Sequence, residues 1–240
     1  MQQYFVDTLD RENKKVVFNK EQAHHISHVL RMREGEVVRV SDQKCAYLAK
    51  IQYDGGDVFG VLEEEIGTNE CDIKVTLLQA LIKKDKWEWI LQKATELGVS
   101  VIVPMETSRT VVKIKDEKSD KKLVRYQKIV MEASEQCLRT CIPTVEECIT
   151  LKQIKEYKSD INLIAYASER LVAKRISEVI KPGCSVSIAI GPEGGFSKEE
   201  VDKFMAEGFI PVSLGKRILR AETEVAYSLS VINELGDQHD

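Results

Sequence analysis

Over the first seventy residues, apolar and polar positions alternate with a period of two, the spacing of half-buried strands. Glu36 to Val40, Ala46 to Tyr53 and Val58 to Leu62 read as strands. Asp54-Gly55-Gly56-Asp57 separates the last two and is a hairpin signal. A short helix is predicted from Lys20 to Val29, followed by Arg31-Met32-Arg33-Glu34-Gly35. Small strands joined by tight turns predict a compact β-barrel. The polar stretch Glu63 to Asp72 reads as a linker, which divides the chain into domains 1–71 and 72–240.

Beyond residue 72 the period changes. Strand-like runs at Ile73–Leu78, Val101–Pro104, Asn162–Tyr166, Val186–Ile190 and Ile210–Leu214 alternate with helical ones. The helices are predicted at Lys86–Leu97, Lys121–Leu138, Arg170–Ile180, Lys198–Glu207 and Glu222–Leu235. Gly98 and Gly208 fall where helices stop, and Ser197 with Glu200 fits a capping box. Strands alternating with helices predict an α/β fold, a largely parallel sheet covered on both faces.

Composition narrows the class. The 240 residues are 43% hydrophobic and 31% charged, which excludes collagen-like, low-complexity and mainly disordered chains. No run of eighteen apolar residues occurs, so no membrane-spanning helix is expected. The start, Met-Gln-Gln-Tyr-Phe-Val-Asp, lacks the pattern of a secretory signal, and a cytoplasmic protein is expected. A net charge of −4 gives no support to a general polycation grip on nucleic acid, but leaves room for a local basic surface. The six Cys are expected to be reduced thiols. His24 and His28 lie one helical turn apart, and Cys137 and Cys141 share a helical face. Neither pair has further ligands nearby, so no metal site is expected.

Ligands of open α/β sheets bind beyond the carboxyl ends of the strands, so the segments after each strand carry the candidate chemistry. Val186–Ile190 is followed by Gly191-Pro192-Glu193-Gly194-Gly195-Phe196-Ser197. A loop this poor in side chains lets a ligand reach backbone N–H and C=O groups; the alternative is a structural turn. It is neither Gly-x-Gly-x-x-Gly nor a P-loop, which disfavours dinucleotide binding and nucleotide hydrolysis. The next strand ends in Leu214-Gly215-Lys216-Arg217-Ile218-Leu219-Arg220-Ala221-Glu222-Thr223. Its apolar members could wrap an adenine ring while Arg217 and Arg220 face an anion; a surface ion-pair patch would explain the arginines but not Ile218-Leu219. Polar groups also crowd Glu132 to Arg139, which by itself reads as a solvated helix face. Lys83, Lys84 and Lys86 follow the first strand of this region, and Arg109 and Lys113 the second. Cations that follow strand ends should share one rim of the sheet.

Gln92-Lys93-Ala94-Thr95-Glu96-Leu97-Gly98-Val99, Glu135-Gln136-Cys137-Leu138-Arg139, Gly191-Pro192-Glu193-Gly194-Gly195-Phe196 and Ile218-Leu219-Arg220-Ala221-Glu222-Thr223 together resemble the bacterial 16S ribosomal RNA uridine N3-methyltransferases, of the SPOUT or α/β-knot class. Val29-Leu30-Arg31-Met32-Arg33 is similar as well, so the resemblance runs nearly end to end. It implies a PUA-like RNA-binding β-barrel followed by a parallel-sheet trefoil-knot domain. It also implies a homodimer, and S-adenosylmethionine bent into the knot. Cofactor contacts would come from Tyr166, Gly191, Glu193, Gly194, Gly195, Leu214, Gly215, Ile218, Leu219 and Arg220. One departure stands out: the family pattern continues Glu-Thr-Ala, whereas Glu224 follows Thr223 here.

The implied reaction places a methyl group on N3 of a uracil in 16S ribosomal RNA or the small ribosomal subunit. N3 carries a proton and lies on the pairing edge, so the base must be unpaired or flipped and the proton must leave. Arg139 and Arg220 are the candidates for stabilising the charge that spreads on to O2 and O4. Glu222 or Glu193 could accept the proton, and each could instead cap a helix or pair with an arginine. Arg31, Arg33, Arg109 and Lys113 would contact RNA phosphates. A non-catalytic RNA-binding or ribosome-assembly factor, and a knot enzyme acting on another RNA, are the competing readings.

Overall fold

A computed structural model describes residues 1–110, 119–166, 173–181 and 183–236. The chain forms two compact units, Met1–Glu70 with Glu132–Ile142, and Cys71–Met131 with Pro143–Asp240.

The first unit is built on a curled six-stranded sheet. Its strands are β1 (Gln3–Phe5), β2 (Thr8–Asp10), β3 (Lys15–Val17), β4 (Val37–Ser41), β5 (Ala46–Asp54) and β6 (Asp57–Gly67), in the order β1-β4-β5-β6-β3-β2. Only β1 and β4 are parallel. The Asp54–Asp57 pairing closes the predicted hairpin. Alternation buries Val38, Val40, Ala49 and Ile51 on one face, where they meet Val16 and Ile26. Glu63–Glu65, read from sequence as linker, instead continue β6, with Glu64 and Glu65 paired to Leu48 and Tyr47. The strand satisfies their backbone while their side chains stay in water, so a polar run here is a solvated strand face. The predicted helix is α-helical only over α1 (Lys20–His24); from His25 to Val29 it widens into a π-turn. The Leu30 amide reaches the His25 carbonyl at 2.9 Å, while the His25 ring is held by the Tyr4 hydroxyl at 2.9 Å and Ile26 is fully buried.

The second unit is a parallel sheet. Its strands are β7 (Val75–Ala80), β8 (Val101–Glu106), β9 (Thr144–Val145), β10 (Ile149–Thr150), β11 (Ile161–Ala165), β12 (Val186–Ile190) and β13 (Ile210–Val212), and its main path runs β10-β8-β7-β12-β11-β13. The helices are α2 (Lys84–Glu96), α3 (Ser119–Gln136), α4 (Lys198–Ala206) and α5 (Ala221–Gly236). All five residues of β12 are buried, which is why Val-Ser-Ile-Ala-Ile reads as a continuous rather than an alternating run. Trp87, Ile90, Leu91 and Ala94 form the buried stripe of α2. β13 lies at the edge of the sheet, yet α5, which follows it, packs against α2 and β12. The chain thus returns from the sheet's edge toward its middle. Of the predicted helix Arg170–Ile180, residues 170–172 lie outside the described residues, and a single 3₁₀ turn occupies Ile176–Glu178.

One segment of the expected second domain, 72–240, groups by its contacts with the first unit. Residues 132–142 belong to the first unit because their polar groups are answered there. Gln3 donates to the Arg139 carbonyl at 2.7 Å, Ser41 to that of Thr140 at 2.7 Å, and the Glu70 carboxylate accepts from the Thr140 and Cys141 amides at 2.9 Å each.

Candidate active site

Because the strands of the second unit are parallel, their carboxyl ends share one edge, and the segments that follow them converge there. They enclose a cleft of about 560 Å³, within the roughly 300–1,000 Å³ of small-molecule sites. Its walls are Tyr166 after β11, the loop from Gly191 to Phe196 after β12, the loop from Leu214 to Leu219 after β13, Arg109 after β8, and Ala221 and Glu224 on α5.

The glycine loop is fixed from both ends. Phe196 is buried and packs edge-on against Phe204, with ring centroids 5.3 Å apart. Ser197 then opens α4 through the predicted capping box: its hydroxyl accepts from the Glu200 amide at 3.2 Å, and Glu200 accepts from the Ser197 amide at 2.8 Å. The other Glu200 oxygen accepts from the Ser108 amide at 2.6 Å, which ties the β8 exit to α4. A Cβ on Gly191 would come within 3.2 Å of the Gly195 Cα, so any larger residue requires the loop backbone to shift by a few tenths of an ångström. Gly195 adopts φ +66°, and a Cβ there would meet no protein atom. The space belongs to whatever fills the cleft.

Of the ten residues expected at the cofactor, nine line this cleft: Tyr166, Gly191, Glu193, Gly194, Gly195, Leu214, Gly215, Ile218 and Leu219. Ile218 is fully exposed at the rim. Arg220 lies at the start of α5, exposed, and makes no ion pair among the described residues. Glu222 sits in the first turn of α5 and pairs with Lys86 at 3.3 Å; Lys86 also reaches Glu193 at 3.9 Å. That one lysine joins α2, the glycine loop and α5. Lys84 is drawn to Glu88 at 3.9 Å, so of the expected basic rim after the first strand much is already paired.

Two of the expected site residues already have partners within the chain. Arg109 donates through one guanidinium nitrogen to the Gly194 carbonyl at 2.8 Å and to that of Phe196 at 3.4 Å, which braces the glycine loop and leaves the rest of the exposed side chain open to solvent. Arg139 does not line the cleft. It belongs to the first unit, with its side chain 8% exposed and its Nε 3.1 Å from Glu70. α3 ends at Gln136, Leu138 beyond it takes φ +62°, and the Arg139 amide returns to the Ser134 carbonyl at 3.0 Å. This turn aims the guanidinium at Glu70, so the polar crowding from Glu132 to Arg139 reflects a buried ion pair. Arg31 and Arg33 are exposed in the first unit, and Lys113 lies outside the described residues. Stacked His24 and His28 have ring centroids 4.7 Å apart. Among the described residues no group of three or more His, Cys, Asp or Glu could hold a metal ion, and no helix is long and apolar enough to cross a membrane.

The residue that sequence reasoning left without a role is Glu224. It lines the cleft, and burial pushes its carboxyl up to about 7. Its signal in the sequence was the departure from the Glu-Thr-Ala pattern after Thr223.

Comparison with known proteins identifies the family. Residues 69–233 match the model of an RNA methyltransferase domain, and residues 18–63 that of an RNA methyltransferase PUA domain. Ribosomal RNA small subunit methyltransferase E of Bacillus subtilis is 34% identical, over 97% of this chain and 96% of its own length. The chain belongs to the ribosomal RNA small subunit methyltransferase E family. Another member, from Synechocystis, is 35% identical over 92% of this chain and 73% of its own length. The crystal structure of the Neisseria gonorrhoeae member, bound to S-adenosyl methionine, superimposes with a TM-score of 0.87 at 28% identity, covering 98% of both chains. The family thus pairs a PUA-like sheet with an α/β-knot sheet, as the two units here do.

S-adenosylmethionine is the cofactor of this family, and the cleft suits it. Leu214, Leu219 and Ile218 offer apolar surface for an adenine, backbone groups of both loops are within reach of its polar edge, and the free space over Gly195 can take a bent ligand.

Proposed function

We propose that this chain methylates N3 of a uridine in 16S ribosomal RNA, with S-adenosylmethionine bound in the cleft between the Gly191–Phe196 and Leu214–Leu219 loops. The observation that carries this reading is the convergence of those two loops at the carboxyl edge of the knotted sheet. The bound cofactor supplies an electrophilic methyl group and, as it gives that group up, becomes a neutral thioether. The chain's own residues do the rest. The loops hold the reaction partners in line, which removes much of the entropic barrier. Arg220, exposed and unpaired at the cleft's edge, stabilises the negative charge that spreads on to the uracil oxygens once the N3 proton leaves. Glu222 takes that proton, and Lys86 fixes its place. The N3 electron pair then forms the new N–CH₃ bond as the S–CH₃ bond breaks.

Arg31 and Arg33 in the first unit hold RNA phosphates, which position the substrate without reading its sequence. Since N3 is on the pairing edge, the target is a splayed base in folded RNA. The enzyme acts as a homodimer in the cytoplasm, where its ribosomal substrate resides.

The test supplies small ribosomal subunits from a strain lacking this enzyme, and S-adenosylmethionine carrying a labelled methyl group. Mass spectrometry of the digested RNA should show labelled N3-methyluridine. Label in another nucleoside would overturn the assignment of the base, and no label in 16S RNA would overturn the activity.

A further inference from the structure

Glu224 is a carboxylate on the wall of a cleft whose other walls are mostly backbone and apolar side chains. The titratable groups facing it from other elements are Tyr166, Arg109, Glu193, Lys198, Lys216 and Arg217. Arg109 is engaged by the Gly194 and Phe196 carbonyls, while Lys198, Lys216 and Arg217 are exposed. On or beside its own helix, Arg220 and Tyr227 are exposed, and Glu222 is paired with Lys86 from α2. None of these groups makes an ion pair with Glu224 among the described residues. A half-buried carboxylate that lines a ligand cavity and makes no ion pair with the cations around it favours a positively charged ligand.

We propose that Glu224 selects ligands by charge, favouring the sulfonium methyl donor over the neutral thioether that remains after transfer. Donor and product share adenosine, amino and carboxylate groups and differ by one methyl group and one positive charge. An apolar cavity holds the two alike, and an ionised carboxylate does not. Preference for the donor clears product from the cleft after each turnover. The inference rests on the cleft being the cofactor site.

Burial brings the titration of Glu224 to about 7, so selectivity has a direction with pH. Above that point the carboxylate is ionised and attracts the sulfonium. Below it the neutral acid treats donor and product alike. Bound sulfonium favours the ionised form, so donor binding near neutrality releases a proton and product binding does not.

Calorimetric titrations of the full chain with S-adenosylmethionine and S-adenosylhomocysteine, at pH 6 and pH 8 and in two buffers of different ionisation enthalpy, test this. In the wild type the donor-to-product affinity ratio should rise about tenfold with pH, the change that one pH unit of linked titration carries, and donor binding should release a proton. In Glu224→Gln and Glu224→Ala the ratio should be flat and the release absent. A wild-type ratio that does not change with pH, or one that survives both substitutions, overturns the proposal. Gly195→Val separates this from the site assignment. Loss of both ligands in that variant upholds the site whatever Glu224 does, whereas unchanged affinity for both overturns the site and the proposal with it.

Discussion

Lone side chains decide the chemistry here, and the structure sorts them by what already holds them. Arg220 is exposed and unpaired among the described residues, so its removal should leave the fold unharmed and the reaction crippled. Arg220→Ala should lower turnover by about 10²–10³, the cost of deleting one preorganised donor to a developing anion, with an unchanged melting curve. Wild-type turnover would remove Arg220 from the site. Arg139 should behave in the opposite way. Its guanidinium and the Glu70 carboxylate form a pair with side chains 8% and 20% exposed. Breaking one partner of a buried pair costs about 3–5 kcal/mol. Glu70→Ala should therefore destabilise the first unit, and Glu70→Gln less so, because its amide oxygen can still accept from the Thr140 and Cys141 amides. Chemical denaturation followed by tyrosine fluorescence from Tyr4, Tyr47 and Tyr53 would read the loss. An Arg139→Ala protein that melts like the wild type yet cannot methylate would assign Arg139 to the chemistry rather than to the pair.

Among the elements, the glycine loop is where sequence and geometry agree most closely. Gly195→Val places a β-branched residue at φ +66°, a conformation that costs an L-residue about 1–2 kcal/mol, and adds bulk to the wall of the cleft. Cofactor affinity should fall by more than tenfold with a modest loss of stability, and equilibrium binding against a thermal melt separates the two effects. This loop was legible in the sequence because density of Gly after an apolar run has few other uses. The parallel sheet was legible for a similar reason, since strands buried on both faces read as continuous apolar runs, as β12 does. What could not be read were features set by distant partners. Glu63 to Glu65 are polar enough for a linker but continue β6, where β5 pairs with Glu64 and Glu65. The helix after Lys20 leaves its α-helical pattern at His25, whose ring is held by Tyr4, far off in sequence. Arg109 was visible as a cation after a strand, but its partners are carbonyls of a loop some eighty-five residues away.

For the molecule as a whole, two half-buried carboxylates set how stability responds to pH, one in each unit. In the first unit, burial pushes Glu135 from 4.5 to about 7, with the charges of Glu132 and Glu21 adding to the rise against a hydrogen bond from the Phe5 backbone. In the second unit, burial does the same to Glu224. Between about pH 4.5 and 7 the folded chain therefore holds protons that the unfolded chain has released, and stability must fall as pH rises through that window. The usual carboxylate trend is the reverse, and the lowered groups Asp10, Asp160 and Glu199 follow it, but only at pH values below their ordinary titration. Thermal melts of the cofactor-free chain should therefore show a midpoint that declines from pH 5 to pH 8. Glu135→Gln and Glu224→Gln should each remove part of the decline, and the double variant should remove both parts, because the two residues belong to separate cores and their effects should add. S-adenosylmethionine at saturation should cancel the Glu224 share alone, since bound positive charge brings that carboxylate back toward its ordinary titration. A midpoint that climbs across the interval, or a decline the double variant retains in full, would show that other groups govern the linkage.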